Sequence, residues 1–278
     1  MSVWEFSLGV FLGSTLAGFL GALTGLGGGV VLVPLLVLVF RVDLHHALGA
    51  SLVSVIATSS GAAAAYVREG YTNLRLGMFL ELATTLGALF GAGLLGVLPK
   101  RLVALVFGLV LLHSAYLSYQ GRLEDQPIDP KDSDPLAKRL RLEGGLPSPE
   151  GERAYGVRRL LAGLGLMGLA GVLSGLLGIG SGAIKVLAMD RVMGLPYKVS
   201  TTTSNFMIGV TAAASAGIYL RQGYIDPRVS FPVMLGVLLG AFLGARILPR
   251  SSTSWLRTLF ALVIAALGLQ MVAQGVGK

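Results

Sequence analysis

Residues 18–92 return without a gap as residues 171–245, and 22 of the 75 aligned positions are identical. The identities fall on punctuating residues: Gly25/Gly178, Gly27/Gly180, Gly29/Gly182, Ser51/Ser204, Thr58/Thr211, Tyr66/Tyr219, Arg68/Arg221, Gly70/Gly223, Tyr71/Tyr224, Arg75/Arg228, Gly87/Gly240 and Gly91/Gly244. Chance similarity between two apolar, glycine-rich stretches does not also place Arg, Gly-Tyr and Arg in register. The chain is therefore two copies of one unit: a first repeat over 1–119, a connector over 120–154 and a second repeat over 155–278.

Each copy carries a glycine run where an apolar helix would otherwise continue. The first is Gly25-Leu26-Gly27-Gly28-Gly29, leading into Val30 to Pro34. The second is Gly178-Ile179-Gly180-Ser181-Gly182, leading into Ala183 to Leu187. Glycine weakens a helix and leaves backbone N–H groups free. Inside a bilayer, such broken backbone survives only where protein or a wet cavity surrounds it.

The bilayer is implied by composition. The chain is 54% hydrophobic and 13% charged, with mean hydropathy +0.76, about half the charge of a soluble domain. Apolar stretches recur at 6–40, 46–67, 76–98, 102–117, 160–179, 199–220, 229–248 and 255–273, several reaching the roughly 20 residues that span a membrane. The expected fold is all-α and polytopic, with about five helical segments per repeat and broken or re-entrant glycine-rich segments. Five crossings per repeat, or three if the first two segments form a re-entrant hairpin, are both odd counts, which inverts the second repeat relative to the first. If only one of those two segments crosses, the repeats are parallel.

With the N-terminus outside, 15 Lys and Arg residues fall on the cytoplasmic side and 6 outside, as the positive-inside rule requires. The connector supplies most of this bias and is therefore cytoplasmic. Its five prolines and mixed charges read as a solvated linker with a short helix at 135–142. The net charge of +8 matches loops facing anionic lipid rather than nucleic acid. The N-terminal stretch reads as a retained first helix.

No enzyme constellation is present. There is no Cys and there are three His, which excludes thiol chemistry and argues against a metal site; no cofactor motif occurs. His45-His46 reads as an interfacial loop pair, and Arg68/Arg221 and Arg75/Arg228 as headgroup anchors. The candidate chemistry lies in the apolar segments. Lys185 follows the second glycine run inside an apolar stretch, where its repeat mate is Leu32. A charge there is costly and needs compensation from a bound anion or a carboxylate, unless it snorkels to an interface. Glu81, opposite Met234, is the matching acid: a partner for Lys185, the carrier of a coupling proton, or an interfacial residue. Gly25, Gly27, Gly28, Gly29, Gly178, Gly180, Ser181 and Gly182 offer backbone N–H groups to an anion. Ser51, Thr203, Ser204 and Asn205 would line its cavity, with Thr201 to Thr203 also serving as helix caps.

The run Gly21-Ala22-Leu23-Thr24-Gly25-Leu26-Gly27-Gly28-Gly29, then Pro34, then Ala47-Leu48-Gly49-Ala50-Ser51-Leu52, resembles the TauE/SafE family of bacterial membrane permeases. So does Gly175-Leu176-Leu177-Gly178-Ile179-Gly180-Ser181-Gly182 followed by Thr201 to Asn205. The resemblance covers both repeats. It implies a transporter in the bacterial cytoplasmic (inner) membrane that exports sulfite or an organosulfonate such as sulfoacetate. Ser181 departs from the expected glycine, Leu187 stands where the first copy has Pro34, and Lys185 has no role assigned by the resemblance. The expected partners are the lipid bilayer and a small anionic sulfur compound, without nucleic acid; a homodimer is compatible with them. Transport would proceed by alternating access, one repeat rocking against the other. The alternatives are a permease for another anion or solute, including proton-coupled uptake, and a non-transporting scaffold that docks partners through its connector.

Overall fold

The computed structural model describes residues 3–24, 29–68, 70–120, 128–148, 151–247 and 253–276; Gly25, Gly27 and Gly28 lie outside them. The first repeat is built from α1 (Val3–Thr24), the short α2 (Gly29–Pro34), α3 (Leu44–Arg68), α4 (Leu74–Leu95) and α5 (Lys100–Gln120). A connector holds α6 (Pro135–Arg139) and the hairpin β1 (Gly144–Ser148) and β2 (Gly151–Tyr155). The second repeat then runs α7 (Leu160–Leu177), the short α8 (Gly182–Leu187), α9 (Tyr197–Arg221), α10 (Pro227–Ile247) and α11 (Thr253–Val276). Both short helices continue into a single π-helical turn, Leu35–Val39 and Ala188–Val192. Each broken segment is thus eleven residues, 29–39 and 182–192, reaching only about 16 Å, or roughly half a bilayer core.

The two repeats do not form separate lobes. α1 packs along α10, α4 along α7, α5 along α11 and α3 against α9, so the main helix pairs join one repeat to the other. Small residues make these crossings. A Cβ added at Gly18 would lie 2.4 Å from the Val237 carbonyl oxygen, and one at the aligned Gly171 would lie 2.1 Å from that of Thr84. One at Gly240 would meet Thr15 O at 2.0 Å, and one at the aligned Gly87 would meet Gly168 O at 2.2 Å. Shifting either contact of a pair by 153 residues gives the other, so the sequence repeat is also a repeat of the packing.

α4 shows which way the helices face. Met78, Leu82, Leu86 and Phe90 are exposed in one stripe, while Gly77, Leu80, Glu81, Thr84, Ala88 and Gly91 are buried. Large apolar side chains outside, with small and polar ones inside, suit a helix solvated by lipid. Among the described residues, Leu74–Leu95, Leu160–Leu177 and Pro227–Gly244 are long and apolar enough to cross a membrane.

Among its described residues the connector is folded as well as solvated, and its hairpin is a local addition to an all-α architecture. The expected helix at 135–142 is present in shorter form, started by Asp134, which accepts from Leu136 N, and Pro135. Ser133 Oγ and Val157 exchange hydrogen bonds of 3.1 and 2.9 Å. Ala137, Leu142, Tyr155 and Val157 are buried in one cluster with Leu76, Met193, Leu195 and Val199. Asn73 ties this cap to the bundle: its Oδ1 accepts from Leu76 N as the N-cap of α4, while its Nδ2 donates to Leu142 O and Tyr155 Oη.

Candidate functional site

The second glycine run sits between α3 and α9. Gly178 and Gly180 have φ of +61° and +78°, a region glycine enters freely. A Cβ on Gly178 would lie 2.5 Å from Leu48 O, and one on Gly180 2.7 Å from Ile208 Cγ2 and 3.2 Å from Val55 Cγ1. Gly29, the described end of the first run, lies close by: a Cβ on it would meet Ser51 Oγ at 2.6 Å and Ile179 Cα at 3.5 Å. Gly29 and the second glycine run therefore come together across Ser51.

Hydroxyls from both repeats hold the second run in place. Ser51 Oγ donates to Gly178 O at 2.9 Å, and Ser204 Oγ donates to Gly182 O at 3.3 Å. These residues, expected to line a cavity, occupy two of the loop's carbonyl oxygens. Ser181 adds a hydroxyl of its own. It holds the left-handed conformation at φ +46°, does not cap α8 and is 4% exposed. Its Oγ has no hydrogen-bond partner among the described residues.

Lys185 follows Ser181 by four residues, and its backbone N–H donates to Ser181 O at 3.1 Å. Its side chain is fully buried, so it does not snorkel. Lys185 Nζ donates to Thr211 Oγ1 at 2.6 Å, and Thr211 Oγ1 donates to Glu81 Oε1 at 2.6 Å. Glu81, 7% exposed, also accepts from Thr84 at Oε2 (2.9 Å) and from Thr85 at Oε1 (3.0 Å). The carboxylate is thus held by three hydroxyls and faces the ammonium through one of them. Such a pair meets the rule that buried charges are compensated and hydrogen-bonded. The chain crosses the repeats, with Glu81 on α4, Lys185 on α8 and Thr211 on α9. Its counterpart in the other half is uncharged: the aligned residues are Met234, Leu32 and Thr58, and Thr58 bonds back to its own helix at Ser54 O.

Two centres therefore emerge from the candidate residues. Gly29, Ser51, Gly178, Gly180, Ser181, Gly182 and Ser204 meet around the second loop, while Lys185 and Glu81 meet through Thr211. Thr203 belongs to neither, because its Oγ1 accepts from Asn73 N at 3.1 Å, under the cap. Asn205 is half-buried on α9. Thr201 to Thr203 do not cap a helix, since α9 already starts at Tyr197; Thr201 and Thr202 bond back to Tyr197 O and Lys198 O. His45 and His46 lie in the first turn of α3 rather than a loop, and His45 stacks on Tyr224 with ring centroids 4.5 Å apart. Thr211, Thr84 and Thr85 were missed as site residues. Thr211 is one of the repeat identities, and the two others follow Glu81 at the i+3 and i+4 positions of one helix face.

Comparison with known proteins gives a concordant result. The family described as "Sulfite exporter TauE/SafE" matches residues 10–271. The "Probable membrane transporter protein YunE" of Bacillus subtilis is 26% identical over 268 residues, covering 94% of this chain and 95% of its own length. The "Probable membrane transporter protein YdhB" of the same organism is 28% identical over 238 residues, covering 85% and 86%. A "Probable membrane transporter protein" of Xylella fastidiosa is 26% identical over 271 residues, covering 96% and 95%. No solved structure matches the chain.

Proposed function

Because the chain belongs to the TauE/SafE sulfite exporter family of multi-pass membrane transporters, we propose that it exports a small sulfur oxyanion, sulfite or a sulfonate such as sulfoacetate, held beside the second glycine loop by Lys185. The observation that carries this reading is the Lys185 ammonium. It has three donors and one hydrogen-bond partner among the described residues, it is sealed from solvent, and it stands four residues after Ser181, whose buried hydroxyl has no partner among the described residues. An oxyanion supplies several acceptors to such a cluster, and a low-dielectric site strengthens each bond.

The two repeats are inverted in this reading, with the N-terminus outside and the cap in the cytoplasm. The helix pairs modify the motion expected from sequence. One repeat cannot rock against the other while α1 is interlocked with α10 and α4 with α7. The moving bodies are instead α1–α2–α3–α10 and α4–α7–α8–α9, each mixing the repeats, and the anion passes along the α3–α9 seam where Gly29 meets the second glycine loop.

The test is sulfite binding to purified protein, with sulfite efflux from proteoliposomes as the readout of transport. Hydrogen bonds to a charged group contribute about 1.5–3 kcal/mol, so Lys185→Ala should weaken sulfite binding roughly 10- to 150-fold. Binding that is unchanged in this variant removes Lys185 from the site.

A further inference from the structure

The charge balance around Lys185 carries a second site. At rest, the ammonium and the Glu81 carboxylate cancel through Thr211. A monoanion that takes up the free donors of Lys185 leaves the buried cluster with one net negative charge. Burial makes an uncompensated charge costly, and the structure narrows where compensation can come from. α7, packed along α4, has no ionisable side chain over Leu160–Leu177. On α9 the ionisable groups lie near the ends, Tyr197 and Lys198 at one and Tyr219 and Arg221 at the other, about two turns or more from Thr211. On α4 itself the other ionisable group is Arg75, in the first turn. The π turn after α8 carries Asp190 and Arg191, whose side chains face each other at 3.8 Å.

We propose that Glu81 is a proton site coupled to the anion site: each monoanion bound at Lys185 is accompanied by one proton on Glu81, and the two cross the membrane together. The inference rests on the reading of Lys185 as the anion's ligand. The proton enters from whichever aqueous side the site faces and converts the Glu81 carboxylate to a carboxylic acid. The acid then donates a hydrogen bond where it had accepted one from Thr211, whose hydroxyl can turn to Met207 O, 2.8 Å away. Charge is conserved at each stage: ammonium and carboxylate before binding; ammonium, anion and neutral acid after it. Thr84 and Thr85 remain as neighbours of either form because a hydroxyl both donates and accepts. The consequence is electroneutral transport of a monoanion. Membrane potential does not drive it, and the anion and proton gradients together set its direction.

The experiment uses full-length protein in proteoliposomes, with potential clamped by potassium and valinomycin and internal pH read by a trapped dye. The probes are sulfite, for transport as such, and methanesulfonate, which keeps one negative charge throughout the working pH range. In wild type, methanesulfonate flux is expected to carry one proton per anion and to keep its rate within twofold across a 100 mV change of potential. In Glu81→Gln the proton flux should disappear and the rate should become potential-dependent. Potential-driven, proton-free methanesulfonate flux in wild type overturns the coupling while leaving the transport function standing. Absence of flux for both probes overturns the functional reading and this inference with it. If Glu81→Gln does not insert, wild-type protein in weakly buffered detergent decides: about one proton taken up per methanesulfonate bound supports the site, and none refutes it.

Discussion

Replacing Gly87 or Gly240 with alanine tests whether the repeats are interlocked as described. The two positions are equivalent under the 153-residue shift, and each faces a carbonyl oxygen of a helix from the other repeat. A new methyl would stand 2.2 Å from Gly168 O in one case and 2.0 Å from Thr15 O in the other. Real Cβ contacts start near 3.0 Å, so α4 must part from α7 by about 0.8 Å, and α10 from α1 by about 1.0 Å. Overpacking of this kind costs about 1–3 kcal/mol, against about 1 kcal/mol gained from alanine's better helix propensity. A net loss of up to about 2 kcal/mol is expected in each variant. The two losses should be similar, and close to additive in the double variant because the crossings share no residue. Gly93→Ala is the control: it lies on α4 with nothing within 4 Å of its Cβ, so it keeps only the propensity gain. The assay is thermal unfolding of detergent-purified protein, followed by loss of the monodisperse peak after heating. If Gly87→Ala is as harmless as Gly93→Ala, the cross-repeat crossing is not as close as described, and the case for bodies that mix the repeats fails.

Other outcomes follow from the same contacts. Lys185→Met leaves Glu81 buried without its counter-charge and should cost about 3–5 kcal/mol, most of which returns in Lys185→Met/Glu81→Gln; simple additivity in the unfolding cycle would argue that the pair is not coupled. Ser181→Gly should keep or raise the thermal midpoint, because it removes a left-handed serine, yet weaken sulfite binding; a lowered midpoint would mean that the hydroxyl is structural. Leu142→Ala should destabilise by about 2–5 kcal/mol if the connector is a packed cap, and no change in midpoint would return it to the status of a linker. At the opposite loop, Asp43 is paired with Lys100. Partial burial raises its carboxyl, but the Lys100 hydrogen bond, the His45 N–H and the nearby positive charges outweigh this and hold it below the ordinary carboxylate value. Its contribution is therefore present above the unfolded carboxylate range and lost as pH falls through the lowered value. Because the pair is largely exposed, Lys100→Ala should cost under about 1 kcal/mol at neutral pH and nothing in strong acid; a penalty that persists in acid would show that the lysine acts through packing.

The helical segments were legible in the sequence because an apolar run needs no partner to declare itself. The second glycine break was legible because the run occurs twice in register. The interlocking of the repeats was not, since Gly18, Gly87, Gly171 and Gly240 state that something comes close without saying what. The cap stayed hidden for a different reason. Ala137, Leu142, Tyr155 and Val157 are scattered without helical or strand period among prolines and charges, so their burial is decided by the bundle they land on. Around the site, Lys185 and Glu81 were conspicuous as charges in apolar stretches. The link between them is one threonine among four on a helix rich in small residues, where a hydroxyl normally bonds back to its own carbonyls. Ser51 and Ser204 were recognised as buried hydroxyls, but a serine that holds a loop and one that touches a ligand look alike in one dimension.

The uncharged counterpart of the Glu81–Thr211–Lys185 chain has a consequence for stoichiometry. Two identical half-length chains assembled about a two-fold axis would carry either two such centres or none. Joined in one polypeptide and diverged, with Met234, Leu32 and Thr58 at the equivalent positions, they carry one. A titration of purified protein with anion should therefore saturate at one equivalent per chain, and a homodimer should behave as two independent carriers rather than as one carrier with a shared site.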